Sequence, residues 1–305
     1  MNKNRIYIKH LVFILTILFI SPVYGQKTRE SNKIEFHKIS SSKRDYILKF
    51  TFPPNFDQKQ NYKVLYYLDS WFISDLITGS YNVLNRCEYV EDVVLIGISI
   101  KGNEQDFNRQ RTKDFTPSEY RSLFNTKKIK SVNPNGVIIN VKSGVGENGV
   151  LLIPENTGGA EEFISFLSKK LFPFVENQYP NLNKRKGLLG HSFGGLFGTY
   201  LLQKEPNLID DYILISGSLS WNESELLKEE LFHEFKNSLK YHQLFLTYGT
   251  SEVSLTVTPN EALNNILCGL KKKNFNYKFK RYDKANHHSI LSRAIYDGLL
   301  FLYKK

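Results

Sequence analysis

The chain has 305 residues, 41% of them apolar, and carries a formal charge of +11 at neutral pH. That apolar share supplies a sizeable core and excludes a disordered or low-complexity protein. Two cysteines, Cys87 and Cys268, exclude a disulfide scaffold and a multi-thiolate metal site; they read as two separate core thiols, a single Cys87–Cys268 disulfide being the alternative. The positive charge suits an anionic substrate, an anionic surface or nucleic acid without choosing among them.

Residues 1–25 have the layout of a secretory signal peptide. Lys3, Arg5 and Lys9 precede an apolar run from Leu11 to Ile20, followed by Ser21-Pro22 and the small Gly25. The run is short for a membrane span. The expectation is removal of 1–25 and export to the periplasm or the medium, with no stable span afterwards. An uncleaved anchor is the other reading. Residues 26–305 show no Pro- or Ser-rich linker and no internal repeat, so they read as one domain.

In chain order, strands are predicted at 33–39, 46–52, 62–68 and 92–100. The last is almost continuously apolar, as in a strand covered on both faces. A helix is predicted at 161–179, where Phe163, Phe166, Leu167, Leu171, Phe174 and Val175 recur at helical spacing. Strands at 186–189, 212–215, 243–248 and 277–282 alternate with helices at 194–204, 260–271 and 290–303. That alternation implies an α/β fold with a mostly parallel central sheet covered by helices on both faces. Residues 120–157 break the rhythm and read as a hairpin insertion, with 137–141 and 150–153 as its strands. Gly144, Gly146 and Gly149 between them match a dinucleotide fingerprint, but no helix is predicted after them to receive a pyrophosphate. No nucleotide or other cofactor is expected.

Gly190-His191-Ser192-Phe193-Gly194 reads G-x-S-x-G and lies between a predicted strand and a predicted helix. That is the setting of a nucleophile elbow, in which a sharp turn lifts the serine hydroxyl out of the sheet at a helix N-terminus. Serine needs a base. His287 and His288 follow the last strand, the position of the base in an α/β-hydrolase fold. His191 adjoins the nucleophile and reads as pointing away along the elbow. Glu252, after the preceding strand, is the candidate acid, with Asp283 and Glu261 as alternatives. Ser192, Glu252 and His287 then fall in the Ser…Asp/Glu…His chain order of this fold. The oxyanion donors are expected from the backbone of Phe193 and of Ser70 or Trp71, in the loop after the third strand.

These residues resemble the esterase family of α/β-hydrolases, which includes siderophore esterases, feruloyl and acetyl-xylan esterases, S-formylglutathione hydrolases and secreted mycolyltransferases. Lys63–Asp69 is similar to the family's strand and its oxyanion loop Leu-Asp-Gly. The resemblance continues through Arg111-Thr-Lys-Asp-Phe-Thr-Pro117, Gly190–Gly195, Ser216-Gly-Ser-Leu-Ser-Trp221 and Asn286-His-His-Ser289. The last is similar to the family's N-H-x-S, which implies that His287 is the base. The pattern is nearest to siderophore-esterase-like members. Ser70 stands where the family has Gly, which would narrow the oxyanion loop, and Gly217 replaces a Pro.

Arg111 and Asp114 are expected to pair with each other. Arg111, Trp71, His191 and Trp221 are the candidate substrate contacts. No two His share metal-ligand spacing on one helix face, so no metal is expected. Lys271–Lys273 ends a predicted helix, where cations complement the dipole, and no nucleic-acid partner is implied. The resulting expectation is an exported serine esterase acting on a small-molecule or glycan-linked ester, with siderophore esters favoured and anionic ones attracted by the basic charge. Carbohydrate acyl esters, acyl transfer on the same triad, and a non-catalytic binding protein on the same scaffold are the other readings. The oligomeric state is not set by these features.

Overall fold

The computed structural model describes residues 32–41, 44–121, 129–132, 138–141, 149–182 and 184–305. The signal-like segment and the fingerprint glycines Gly144 and Gly146 lie outside the described residues. The strands, in chain order, are β1 (Ile34–Ser40), β2 (Asp45–Thr51), β3 (Lys63–Tyr67), β4 (Val93–Ile100), β5 (Ile129–Val132), β6 (Ile138–Val141), β7 (Lys186–His191), β8 (Asp211–Ile215), β9 (His242–Gly249) and β10 (Phe275–Tyr282). Eight of them form one sheet in the order β1-β2-β4-β3-β7-β8-β9-β10, and β5 and β6 pair separately. β2 is antiparallel to both neighbours, whereas the pairings from β4 across to β10 are parallel.

The helices are α1 (Ser70–Arg86), α2 (Glu104–Phe115), α3 (Ala160–Phe166), α4 (Phe172–Gln178), α5 (Phe193–Lys204), the short α6 (Trp221–Ser224) and α7 (His233–Asn237), α8 (Ser254–Gly269) and α9 (Leu291–Tyr303). Strand alternation divides the core between the two faces of the sheet. Val64, Tyr66 and Leu68 belong to a cluster with Phe163 of α3 and Leu196 of α5. Leu65, Tyr67 and Leu95 belong to the other cluster, with Ile73 and Ile77 of α1 and Ile295 and Leu299 of α9. Among the described residues, no helix is long and apolar enough to cross a membrane.

Several elements differ from the sequence reading. Helices α1 and α2 are absent from it, although Ile73, Ile77, Tyr81 and Leu84 form a buried stripe at helical spacing. Asn103 and Asp106 form a capping box that starts α2. The helix expected at 161–179 contains a widened turn at Leu167–Leu171, between α3 and α4. Pro173 accounts for it: proline lacks the N–H of the ladder and crowds the carbonyl four residues before. Helix α8 begins at Ser254, ahead of Pro259, rather than after it. In the irregular region, Ile138–Val141 pairs with Ile129–Val132. Cys87 and Cys268 are both free and both exposed, so neither is a core thiol.

Candidate active site

Ser192 stands between the end of β7 and the start of α5, with φ 58° and ψ −116°. A non-glycine residue in so sparsely populated a region costs about 1–3 kcal/mol and persists only where its surroundings fix it. Here the Ser192 N–H donates to the Ile215 carbonyl at 3.0 Å, and its own carbonyl accepts from the N–H groups of Leu196 and Ser218, both at 3.0 Å. The chain folds back so tightly that a Cβ on Gly190 would lie 2.2 Å from the Gly194 carbonyl oxygen. Ser192 is buried, and its Oγ lies 3.1 Å from Ser218 Oγ. In the sequence, Ser218 stands out only as part of a family segment; the geometry adds it to the site.

His287 lies in the loop after β10, and its Nδ1 donates to Glu252 Oε2 at 2.6 Å. Because a carboxylate only accepts, the ring proton sits on Nδ1 and Nε2 becomes the basic nitrogen. Glu252 is buried in the turn after β9. Its other oxygen accepts from Ser216 Oγ at 2.6 Å and from the Gly249 N–H at 2.7 Å. The alternative acids are engaged elsewhere, Glu261 by Arg281 and Tyr248, and Asp283 by Thr250.

His191 does not point away. Its Nε2 donates to the His287 carbonyl at 2.9 Å, and the two rings are 4.4 Å apart between centroids. A carbonyl acceptor fixes the proton of His191 on Nε2. His191 therefore touches the loop that carries the candidate base.

Ser70 and Trp71 open α1, and Phe193 opens α5. The first N–H groups of a helix have no acceptor within it, and the helix dipole places partial positive charge there. The two helix starts are close: a Cβ on Gly194 would lie 3.6 Å from Asp69 Oδ2. The Ser70 side chain turns toward the sheet, where a Cβ on Gly97 would lie 2.2 Å from Ser70 Oγ and 2.4 Å from Tyr67 Cζ. The hydroxyl occupies the space that Gly97 leaves open.

The expected Arg111–Asp114 pair is not formed. Arg111 instead grips Asp69 in a buried fork, with Nε donating to Oδ1 at 2.7 Å and Nη2 to Oδ2 at 3.0 Å. Asp114 pairs with Arg44 and accepts from the Tyr46 hydroxyl at 2.9 Å. Arg44 and Tyr46 reach it from the start of β2, which helical spacing within α2 could not reveal.

A cavity of about 370 Å³ opens beside these groups. Trp71, Phe72 and Phe107 supply an aromatic wall, and Arg111, His191 and His287 a polar one. Trp71 is half exposed, with its ring 5.5 Å from that of Phe107. Trp221 is not part of this lining. It is buried, donates from Nε1 to Ser118 Oγ at 3.3 Å, and meets the Phe193 ring edge-on at 5.8 Å. It packs between Phe193 and Tyr120, whose ring is 5.0 Å away. Glu104 and Asn108, which the sequence reading does not single out, line both this cavity and an adjoining polar hollow of about 820 Å³.

The family described as "Putative esterase" matches residues 136–290, just over half of the chain. A siderophore enterobactin esterase of Emericella nidulans is 28% identical over 175 residues, covering 49% of this chain and 58% of that protein. A ferri-bacillibactin esterase of Bacillus subtilis is 28% identical over 205 residues, covering 66% of this chain and 63% of that protein. The chain thus spans less than two thirds of either curated relative. The crystal structure of the BES protein from Bacillus cereus superimposes with a TM-score of 0.72 at 24% identity, over 89% of this chain and 96% of that one. The shared architecture is the α/β-hydrolase fold.

Proposed function

The chain belongs to the esterase family, and on that premise we propose that it is an exported serine esterase that cleaves carboxylic esters through an acyl-enzyme. The observation that carries this reading is the contact between Glu252 and His287, on loops at the same end of the sheet as the Ser192 elbow. In the reaction, Ser192 Oγ attacks the ester carbonyl while its proton passes to His287 Nε2. The tetrahedral oxyanion lies between the Phe193 N–H and the N–H of Ser70 or Trp71. Each such donor contributes about 3 kcal/mol in the transition state. His287 then protonates the departing alkoxide, and water, deprotonated by the same nitrogen, releases the acid. Glu252 holds the tautomer and stabilises the imidazolium.

Siderophore esters are the substrate class we favour, because the curated relatives are named for that activity. The two adjoining hollows suit a bulky, polar ester better than an acetyl group. Carbohydrate acyl esters are the competing class, supported by Asn103, Asn108 and Asn156 on the walls of the larger hollow. Export rests on the signal-like residues 1–25, and recovery of the protein outside the cytoplasm with its N-terminus near residue 26 would support it.

The decisive experiment is intact mass before and after a fluorophosphonate probe, with Ser192→Ala as the control. One adduct on the wild type and none on the variant is the expected result. No adduct on the folded wild type would overturn the serine-esterase reading. Relative turnover of a ferric tri-catecholate lactone against feruloyl and acetyl sugar esters then separates the substrate classes.

A further inference from the structure

Resting on the esterase reading, we infer that Arg111 is a positioning residue that sets the spacing between the two sources of oxyanion donors. Its fork closes on both oxygens of Asp69, and both side chains are buried. Asp69 immediately precedes Ser70 and Trp71 and has left-handed backbone angles, φ 56° and ψ 34°. That conformation is uncommon for a residue with a Cβ, although Asp is among those that tolerate it best; here the fork holds its side chain. The Asp69 carbonyl meanwhile accepts from the N–H groups of Phe72 and Ile73, at 2.8 and 3.0 Å, and so begins α1. Holding the Asp69 carboxylate therefore holds the orientation of the first N–H groups of α1.

The same guanidinium reaches the other donor. Nη2 also lies 3.4 Å from the His191 carbonyl, on the residue before the nucleophile. The ring of Phe193, the residue whose backbone N–H is the second proposed oxyanion donor, lies 5.4 Å from the guanidinium carbon. One rigid, planar group thus ties together the loop after β3 and the elbow after β7. The edge of the guanidinium formed by Nε and Nη2 is committed to Asp69. Lysine, with a single point of charge, cannot reproduce a two-bond clamp.

The test compares wild type with Arg111→Lys and Asp69→Asn, using a neutral p-nitrophenyl ester and an aryl boronic acid that forms a tetrahedral adduct on Ser192. Thermal melting checks the fold of each variant. A displacement near 1 Å at reacting groups costs about 100-fold in rate. Arg111→Lys is expected to lose kcat by about that factor, with KM within about twofold and boronate affinity lower by the factor lost in kcat. Asp69→Asn keeps the shape of the side chain and is expected to show the same pattern to a smaller degree. Addition of guanidinium to Arg111→Gly is expected to restore part of kcat. A rise in KM with kcat unchanged would make Arg111 a substrate contact and overturn the inference. So would undiminished boronate affinity in a folded variant of lowered kcat, or wild-type kcat in both Arg111→Lys and Asp69→Asn. These outcomes are distinguishable from failure of the esterase reading, which would leave wild type itself inactive and Ser192 unreactive toward the fluorophosphonate.

Discussion

Replacing Glu252 by Gln exchanges one oxygen for an NH₂ group, and the contacts of Glu252 specify what that change does. One oxygen accepts from the Gly249 N–H at 2.7 Å and from Ser216 Oγ at 2.6 Å. The backbone N–H can only donate, so the amide oxygen of Gln must take that place. The amide nitrogen then faces His287 Nδ1, where the carboxylate oxygen lies at 2.6 Å in the parent. An NH₂ group there forces Nδ1 to accept and moves the ring proton to Nε2. The nitrogen proposed to take the Ser192 proton would already hold one. Loss of the correct tautomer costs about 10⁴-fold in kcat, or about 5.4 kcal/mol of barrier. Stability is expected to change far less than in Glu252→Ala, which leaves buried donors without an acceptor at a cost of about 1–3 kcal/mol each. Stopped-flow turnover of a p-nitrophenyl ester, paired with urea denaturation of both variants, measures the two effects. A Glu252→Gln enzyme within about tenfold of wild type would refute this account of the acid.

Packing and charge set other outcomes. Gly97→Ala places a methyl group 2.2 Å from Ser70 Oγ; it is expected to destabilise the fold by about 1–3 kcal/mol and to lower kcat by displacing the start of α1. An unchanged urea midpoint would contradict the close approach. Burial raises the pKa of Glu35, but donors from Lys33, Tyr179 and His37 outweigh it and hold the group at about 2, below its ordinary 4.5. A depressed carboxyl pKa stabilises the fold above the unfolded value, and that contribution is lost as pH falls from about 4.5 toward 2. The stability difference between wild type and Glu35→Gln is therefore expected to shrink over that window in denaturation titrations; a constant difference would argue against it. Glu104→Gln removes a negative charge from the cavity lining. It is expected to raise kcat/KM for an anionic aryl ester about fivefold over its neutral counterpart, as a partly screened charge at the mouth would. An equal change for both esters would remove Glu104 from substrate discrimination.

The elbow is legible in the sequence because its requirements are local: glycines flank the serine, a strand precedes it and a helix follows. Glu252 and His287 are legible through their places after successive strands, although choosing His287 over His288 needs the family resemblance. Arg111 is misread for the opposite reason. Asp114, three residues along the same helix, is its nearest acid in that register, but Asp69 reaches it from the end of β3 and Arg44 takes Asp114 from the start of β2. Such pairings exist only once the sheet is assembled. Helix α1 is obscured by Ser, Thr, Gly and Asn, all weaker helix formers than Ala, even though its buried stripe has the right period. The partner of Ile138–Val141 escapes notice because Ile-Lys-Ser-Val at 129–132 is less apolar than the alternative at 150–153.

The division of labour around α2 bears on how such a protein diverges. The proposed reacting groups occupy loops that follow β7, β9 and β10, whereas Glu104, Phe107 and Asn108 approach the cavity from the first turns of a separate helix. Arg111, further along, is anchored to Asp69 and marks where that freedom ends. On the proposed mechanism, substitutions on the exposed side of positions 104–109 would reshape the cavity wall without touching the proposed path of the proton. A library randomised only at Glu104, Gln105 and Arg109 would vary that wall while every proposed reacting residue stays in place.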